Sequence, residues 1–136
     1  MVSRDSKSPS VTIRCTGADA VATMVAAARS FGLDQALEID RVARLAIIVE
    51  ELAFNLVDHG GADAQGEVEL VLSHDGTAVE IMLRDSGPPF DPRAAQTGEA
   101  IPERGGGAGI DLVRAWAEIL DYRSDGGWNH LNLRMP

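Results

Sequence analysis

The spacing of hydrophobic and polar positions along the chain predicts a mixture of strands and helices. Alternation is typical of a half-buried strand, and an apolar residue every three or four positions is typical of a helix. The first half of the chain is predicted to contain a strand in SVTIRCT, a helix in GADAVATMVAAARSFGL with Asp19 as its N-cap, and a long helix from Asp40 to His59. Two strands, EVELVLSH and AVEIMLRD, follow and are joined by a DGT turn. The chain then continues with a helix in GIDLVRAWAEILDY and closes with a hairpin of YRSD and WNHLNLRM around GG. This order predicts the α+β class, as a two-layer α/β sandwich with a mixed, mainly antiparallel sheet and three main helices.

The periodicity stops for more than twenty residues in the second half of the chain. The stretch SGPPFDPRAAQTGEAIPERGGGAG is rich in glycine and proline, and so long a loop in a compact domain is usually functional or disordered. We expect a single domain over residues 10–136 after a flexible tail at residues 1–9. A loop at about 86–108 could close over a ligand as a lid.

Composition narrows the class of protein. The net charge of −9 argues against nucleic-acid binding, because that affinity comes largely from neutralising phosphates. The one cysteine, Cys15, excludes an intramolecular disulfide and a cysteine-pair metal site. The one lysine, Lys7, lies in the predicted tail, which excludes a P-loop and argues against Schiff-base chemistry. No apolar run approaches the ~20 residues of a membrane span, and the first residues lack the apolar segment of a signal peptide, so we expect a cytoplasmic protein without membrane association.

The long helix carries polar residues between two apolar faces. One face forms the predicted core stripe, which consists of Leu45, Ile48, Val49, Leu52 and Leu56. Ile47 and Phe54 lie on roughly the opposite face, which we expect to be covered too. Glu51 and Asn55 are stacked four residues apart between the faces, and His59 follows one turn later. Taken alone, the triplet is either a ligand-binding slot or a surface strip whose histidine helps to end the helix.

Two further segments carry candidate chemistry. Asp85 ends a strand just before Ser86 and Gly87, so its carboxylate can accept from an exocyclic amine while the glycine lets a flat ligand approach closely. The segment ERGGGAGIDLV opens a helix with a glycine-rich turn, whose backbone N–H groups can bind an anion. Alone, the first segment is also compatible with an ordinary turn and the second with a flexible hinge.

The three segments, in this order, resemble the GHKL (Bergerat-fold) ATP-binding family, which includes gyrase B, the Hsp90 chaperones, MutL and histidine kinases. The resemblance covers the chain from about Ser10 to Pro136. EELAFNLVDH resembles the N-box, DSGPPF the first glycine box and GGGAGIDLV the second. The anti-sigma factor serine/threonine kinase branch is the most similar, because Glu51, Asn55 and His59 match its E-x-x-x-N-x-x-x-H pattern. The resemblance implies the Bergerat fold.

The end of the chain also resembles this branch, whose bacterial members often close in Y-x-R and then G-x-N. The corresponding residues in YRSDGGWN are Tyr122, Arg123, Gly127 and Asn129, with one residue extra.

The resemblance implies roles for the matching residues. Asn55 would coordinate Mg²⁺, Asp85 would bind the adenine amino group with Gly87 beside it, and Glu51 would be the general base for an attacking hydroxyl. The residues that would line the phosphates are Gly105, Gly107 and Gly109.

Other positions are accessory candidates or departures from the family pattern. Arg104 is the first local candidate to stabilise γ-phosphate charge and Arg93 the second. Ala108 stands in the second glycine box where a leucine or methionine is more frequent, and an extra glycine displaces Arg104 along the chain. His59 either orients Asn55 or packs under the lid.

Three functions compete at this point. The first is an anti-sigma-factor-like serine/threonine protein kinase that binds Mg-ATP, phosphorylates a small anti-anti-sigma (STAS-domain) protein and switches partners with a sigma factor. The second is a nucleotide-gated binding regulator without kinase activity. The third is a stand-alone ATPase or a histidine-kinase-like catalytic domain. Ile47 and Phe54, with Met24 and Val25 of the first helix, belong either to a homodimer interface or to the core.

Overall fold

The structure is a computed structural model, and it describes residues 9–16, 19–58, 67–87 and 106–136. Its elements are β1 (Ser10–Thr16), α1 (Ala20–Asp34), α2 (Ile39–Asp58), β2 (Glu67–His74), β3 (Val79–Asp85), α3 (Gly106–Trp116), β4 (Glu118–Asp125) and β5 (Trp128–Met135). The predicted α+β class with three main helices is confirmed. The predicted tail, the end of the predicted long helix and the predicted lid lie largely outside the described residues.

The strands form one sheet in the order β1-β2-β3-β5-β4, and all of its described pairs are antiparallel. Strand β5 therefore lies between β3 and β4, although α3 and β4 precede it in the chain. Alternate residues of each strand pack against the helices, and their side chains form a single core with the inner faces of α1, α2 and α3. This arrangement places the end of β3 beside the start of β5.

Helix α2 packs through the predicted core stripe. All five residues of that stripe are buried, because the helical period brings them to one face. The opposite face is less covered than expected. Phe54 is 36% exposed and Ile47 is half-buried, so the prediction that both are covered is wrong for Phe54. Met24 of α1 is completely buried and belongs to the core.

Helix α3 is shorter than its sequence pattern predicts. It ends at Trp116, and residues 118–121, which were predicted to continue the helix, belong to β4. The β4–β5 register shifts between Ile119 and Asp121, so Leu120 is the extra residue of a β-bulge and is 44% exposed. Because of the bulge, Ile119 and Tyr122 both pack against the core. Their three-residue spacing imitates a helix, which explains the error.

The ends of the other elements agree closely with their signals. Helix α1 begins directly after Asp19, although the Asp19 side chain makes no capping hydrogen bond. Gly126 and Gly127 join β4 to β5 with positive φ angles of 63° and 85°, as a tight hairpin turn requires. No helix in the described ranges is both long and apolar enough to span a membrane.

Candidate functional site

A pocket opens between helix α2 and the sheet, at the end of β3. Its lining residues come from four elements and are Leu52, Asn55, Leu56, Leu83, Asp85, Tyr122, Asn129 and Leu131. About 330 Å³ of space free of protein atoms lies in the pocket and in the open solvent at its mouth together. Most of its wall is apolar. Its polar side chains are the carboxylate of Asp85, the carboxamides of Asn55 and Asn129, and the phenol of Tyr122. Small-molecule sites commonly have this composition.

Strand register explains how the sheet side of the pocket is built. Leu83, Leu131 and Tyr122 are directly opposite one another across β3, β5 and β4, and they form an apolar row. Asp85 and Asn129 are the next pair on the same face of β3 and β5, two residues away, and they form a polar row beside the apolar row. Residues paired across a sheet project from the same face, and here that face is the one covered by α2.

Asp85 is a buried acid, only 4% exposed. Its Oδ2 accepts hydrogen bonds from the Gly87 backbone N–H at 2.9 Å and from the Asn129 side-chain amide at 3.1 Å. Burial raises the pKa of Asp85 above its ordinary value, and these two hydrogen bonds oppose part of that effect. An acidic group this deep beside a pocket is well placed to bind a donor on a ligand.

Hydrogen bonds hold the backbone that follows β3 in place next to Asp85. The Ser86 backbone N–H donates to the Glu67 carbonyl at 3.1 Å, and the Glu67 N–H donates to Ser86 Oγ at 3.1 Å. The Asn129 amide also donates to the Gly87 carbonyl at 2.9 Å. Residues 85–87 therefore have a defined backbone at the edge of the pocket.

Asn55 presents a buried amide to the pocket from α2. Its residue is 4% exposed, and its Nδ2 finds no hydrogen-bond partner among the described residues. A buried polar atom without a partner costs about 1–3 kcal/mol, so it is expected to meet a ligand or water. Rotating the amide by 180° would present Oδ1 at the same place.

The described residues around the pocket offer few protein ligands for Mg²⁺. The described residues contain no group of three or more His, Cys, Asp or Glu that could hold a metal ion. Magnesium, however, is often bound through one or two protein oxygens, with water and substrate phosphates as the other ligands. The orphaned Asn55 amide is compatible with that kind of site, provided that a polyphosphate is bound with the metal.

Glu51 lies on the same helix as Asn55. Glu51 precedes Asn55 by one turn and is half-buried, outside the set of described residues that line the pocket. Its place on α2 agrees with the prediction, and its role as a base stays a prediction.

The structure covers the remaining predicted residues only in part. Gly107 and Gly109 belong to the first turn of α3, as the glycine-rich helix start predicted. His59, Arg93, Arg104 and Gly105 lie outside the described residues, so their predicted roles stay predictions. The same holds for phosphate binding by Gly107 and Gly109.

Sequence reasoning did not assign Tyr122 and Asn129 to the pocket. In the sequence, only the resemblance to a family ending distinguishes these two residues. A signal for Asn129 was available, because inward positions of β5 are otherwise Leu131, Leu133 and Met135. An asparagine in a buried apolar series needs hydrogen-bond partners. The bulge at Leu120 hid the matching signal for Tyr122.

Comparisons with known proteins agree with this geometry. The sequence profile of the histidine kinase-like ATPase domain family matches residues 16–135. Serine/threonine-protein kinase BtrW of Bordetella bronchiseptica is 29% identical over 97 residues, an alignment that covers 65% of this chain and 66% of that protein. The histidine kinase domain of a blue-light activated histidine kinase from Erythrobacter litoralis has a TM-score of 0.56 at 17% identity, over 85% of this chain and 60% of that one.

These relatives are matched over only part of their own lengths, a little under two thirds in each case. The solved structure is similar in fold alone at this level of identity. The family profile, in contrast, spans nearly the whole chain, from β1 to β5. The protein therefore belongs to the histidine kinase-like ATPase domain family, whose name implies ATP binding.

Proposed function

We propose that the protein is an ATP-dependent serine/threonine protein kinase of the anti-sigma-factor type. It would phosphorylate a small anti-anti-sigma (STAS-domain) protein and regulate transcription by exchanging that partner for a sigma factor. The observation that carries the proposal is a buried carboxylate, Asp85, in an apolar pocket beside the orphaned amide of Asn55. The curated relative named as a serine/threonine-protein kinase supports the choice of reaction.

The pocket has the chemistry of an adenine site. Leucine side chains and the Tyr122 ring offer apolar contact to the faces of a flat base. The ionised Asp85 carboxylate is an acceptor only, so it can bind the exocyclic amine of adenine. Guanine carries a carbonyl oxygen at that position, and two acceptors would repel each other. The pocket should therefore prefer adenine nucleotides.

The residues on α2 would serve phosphoryl transfer. Asn55 would hold the metal through its amide oxygen, and bound Mg²⁺ would neutralise phosphate charge. Glu51 would orient the acceptor hydroxyl of a serine or threonine and accept its proton. The hydroxyl oxygen forms a bond to the γ-phosphorus while the bond from that phosphorus to the leaving ADP oxygen breaks. Arg104, with Arg93 as the alternative, would stabilise the charge that develops on the γ-phosphate.

A second candidate requires nucleotide binding alone. The described pocket supplies contacts for a base, and such binding does not need Glu51 to act as a general base. The protein would then be a nucleotide-gated binding regulator. A stand-alone ATPase or histidine-kinase-like activity remains the third reading, and the similarity to a histidine kinase domain supports only its fold.

A phosphotransfer experiment separates these functions. The purified protein is incubated with γ-labelled ATP, Mg²⁺ and purified STAS-domain proteins, beside Glu51→Ala. Glu50→Ala is a matched control, because Glu50 is the exposed neighbour on another side of α2. Label on a serine or threonine of a STAS protein, lost in Glu51→Ala and retained in Glu50→Ala, would support the kinase. Tight ATP binding without transfer would support the regulator, and hydrolysis without any acceptor would support the ATPase.

A further inference from the structure

Asn129 lies at the centre of a polar row that crosses three strands. It pairs with Asp85 on β3 and with Ser124 on β4, so the sheet register alone brings the three side chains together. Asn129 is 3% exposed, whereas Ser124 lies at the exposed end of the β4–β5 hairpin. The row therefore connects the buried acid of the pocket to a hydroxyl at the protein surface.

Hydrogen bonds fix the direction of the Asn129 amide. Ser124 Oγ donates to Asn129 Oδ1 at 2.7 Å, and Asn129 Nδ2 donates both to Asp85 Oδ2 at 3.1 Å and to the Gly87 carbonyl at 2.9 Å. A rotated amide would place its oxygen against the Gly87 carbonyl oxygen, which can only accept. The observed orientation is therefore the one that satisfies every partner in this network.

The two carboxylate oxygens of Asp85 have different roles in this network. The hydrogen bonds that Asp85 receives from described residues, those of Gly87 and Asn129, both end at Oδ2. Oδ1 keeps its lone pairs for another donor. Since the carboxyl group is planar, holding one oxygen fixes the direction of the other. The Asn129 bond to the Gly87 carbonyl further ties the acid to the backbone that follows β3.

We propose that Ser124 and Asn129 act as a positioning pair that orients Asp85 for the amino group of adenine, and thereby determines adenine-over-guanine selectivity. The inference rests on the proposed nucleotide site. It goes beyond that site, because it assigns base selectivity to a residue on the β4–β5 hairpin that lies outside the set of described residues lining the pocket. Asn129 and Ser124 are positioning residues here, because they act through Asp85.

The test measures dissociation constants for ATP and GTP in wild type, Ser124→Ala and Asn129→Asp. Ser124→Ala removes the exposed hydroxyl that donates to Asn129 Oδ1 and so loosens the hold on the Asn129 amide, so ATP should bind roughly 3–10-fold more weakly and the ATP/GTP preference should shrink. Asn129→Asp replaces the donor by a second carboxylate against Asp85 Oδ2, so ATP should bind at least ~10-fold more weakly at pH 8. Ser73→Ala on β2 is the serine control.

A pH profile distinguishes positioning from a merely structural role. In Asn129→Asp, one proton shared by the two carboxylates would restore a donor, so affinity for adenosine, which lacks titrating phosphates, should recover as the pH is lowered. In wild type, affinity should fall in the same direction because Asp85 must stay ionised. Among the described residues that line the pocket, the other titratable group is the Tyr122 phenol. Asn132→Asp is the matched control, since Asn132 donates to Asp121 at 3.3 Å outside the pocket.

The outcomes separate the inference from the proposed function. If wild type binds neither nucleotide, the proposed function fails and the inference fails with it. If wild type prefers ATP and both variants, folded by circular dichroism, keep the wild-type ATP/GTP ratio, the inference alone is overturned. If Asn129→Asp does not fold, Ser124→Ala decides, and an unchanged ratio in that variant overturns the inference.

Discussion

The side-chain amide of Asn129 donates to the buried carboxylate of Asp85 at 3.1 Å, across the β5–β3 pair. This contact joins the last strand of the chain to the residue that we expect to recognise adenine. It also places a polar row directly beside the apolar row of Leu83, Leu131 and Tyr122. The pocket is therefore a product of sheet register, and each of its polar groups can be tested separately.

Replacing Asp85 by asparagine should weaken nucleotide binding without unfolding the protein. The change removes a charge-assisted hydrogen bond of about 1.5–3 kcal/mol, so ATP affinity should fall at least ~10-fold. Calorimetric titration measures the loss. Asp125→Asn, at the exposed end of β4, is the control and should bind like wild type. Full ATP affinity in Asp85→Asn would remove Asp85 from the site.

The ionisation of Asp85 should affect ligand binding and stability with opposite signs. Because burial raises its folded-state pKa, the ligand-free folded state binds a proton more readily than the unfolded state. The contribution of Asp85 to the stability of the ligand-free protein, measured as the difference from Asp85→Asn, should therefore become more favourable as pH falls through the raised pKa, while adenosine affinity decreases. Adenosine is the better probe, since it lacks phosphates that titrate themselves. Urea unfolding and adenosine titration between pH 4 and 7 measure both, and parallel trends would contradict the prediction.

Asn55→Ala should weaken binding of Mg-ATP and remove its dependence on magnesium. Asn55 Nδ2 makes no hydrogen bond to a described residue, so the substitution removes no stabilising bond from that atom. The free energy of unfolding should therefore fall by no more than about 1 kcal/mol. Titrations with ATP in Mg²⁺ and in EDTA give the first result, and urea unfolding gives the second. Asn132→Ala is the control on the open face of the sheet. Magnesium dependence equal to that of wild type would show that Asn55 is not a ligand.

Asp75 should support the β2–β3 turn at neutral pH and lose that role in acid. Its Oδ1 accepts from the Thr77 and Ala78 backbone N–H groups at 2.8 Å each, and these bonds lower the pKa of Asp75 to about 2. The stabilisation is present above the unfolded value of 3.8 and is lost as pH falls towards about 2. Asp75→Ala should therefore be less stable than Asp125→Ala at pH 7, with a smaller difference near pH 2. A difference independent of pH would exclude this role.

The bulge in β4 makes neighbouring positions respond differently to substitution. Ile119 packs against the core, whereas Leu120 is 44% exposed. Ile119→Ser should lower the free energy of unfolding by about 1–3 kcal/mol, and Leu120→Ser by about 0.5 kcal/mol or less. Denaturant unfolding compares the two. Equal losses would mean that residues 118–121 do not form the observed strand.

The sequence predicted the parts of this protein that depend on local pattern. Alternation located β1, β2, β3 and β5, the 3.6-residue period located the core face of α2, and the order of motifs indicated the family. The same reasoning fails for β4, because the bulge at Leu120 places apolar residues three positions apart in a strand. The contact between Asn129 and Asp85 could not be predicted, since it depends on β5 inserting between β3 and β4. Non-local pairing of that kind leaves no periodic signal.

The most direct test of the account is calorimetric titration of the wild-type protein with ATP and Mg²⁺, beside GTP and Asp85→Asn. We predict saturable ATP binding with micromolar affinity, much weaker GTP binding, and ATP binding at least ~10-fold weaker in Asp85→Asn. Absence of heat, together with no thermal shift at millimolar ATP, would contradict the nucleotide site and the kinase proposed on it.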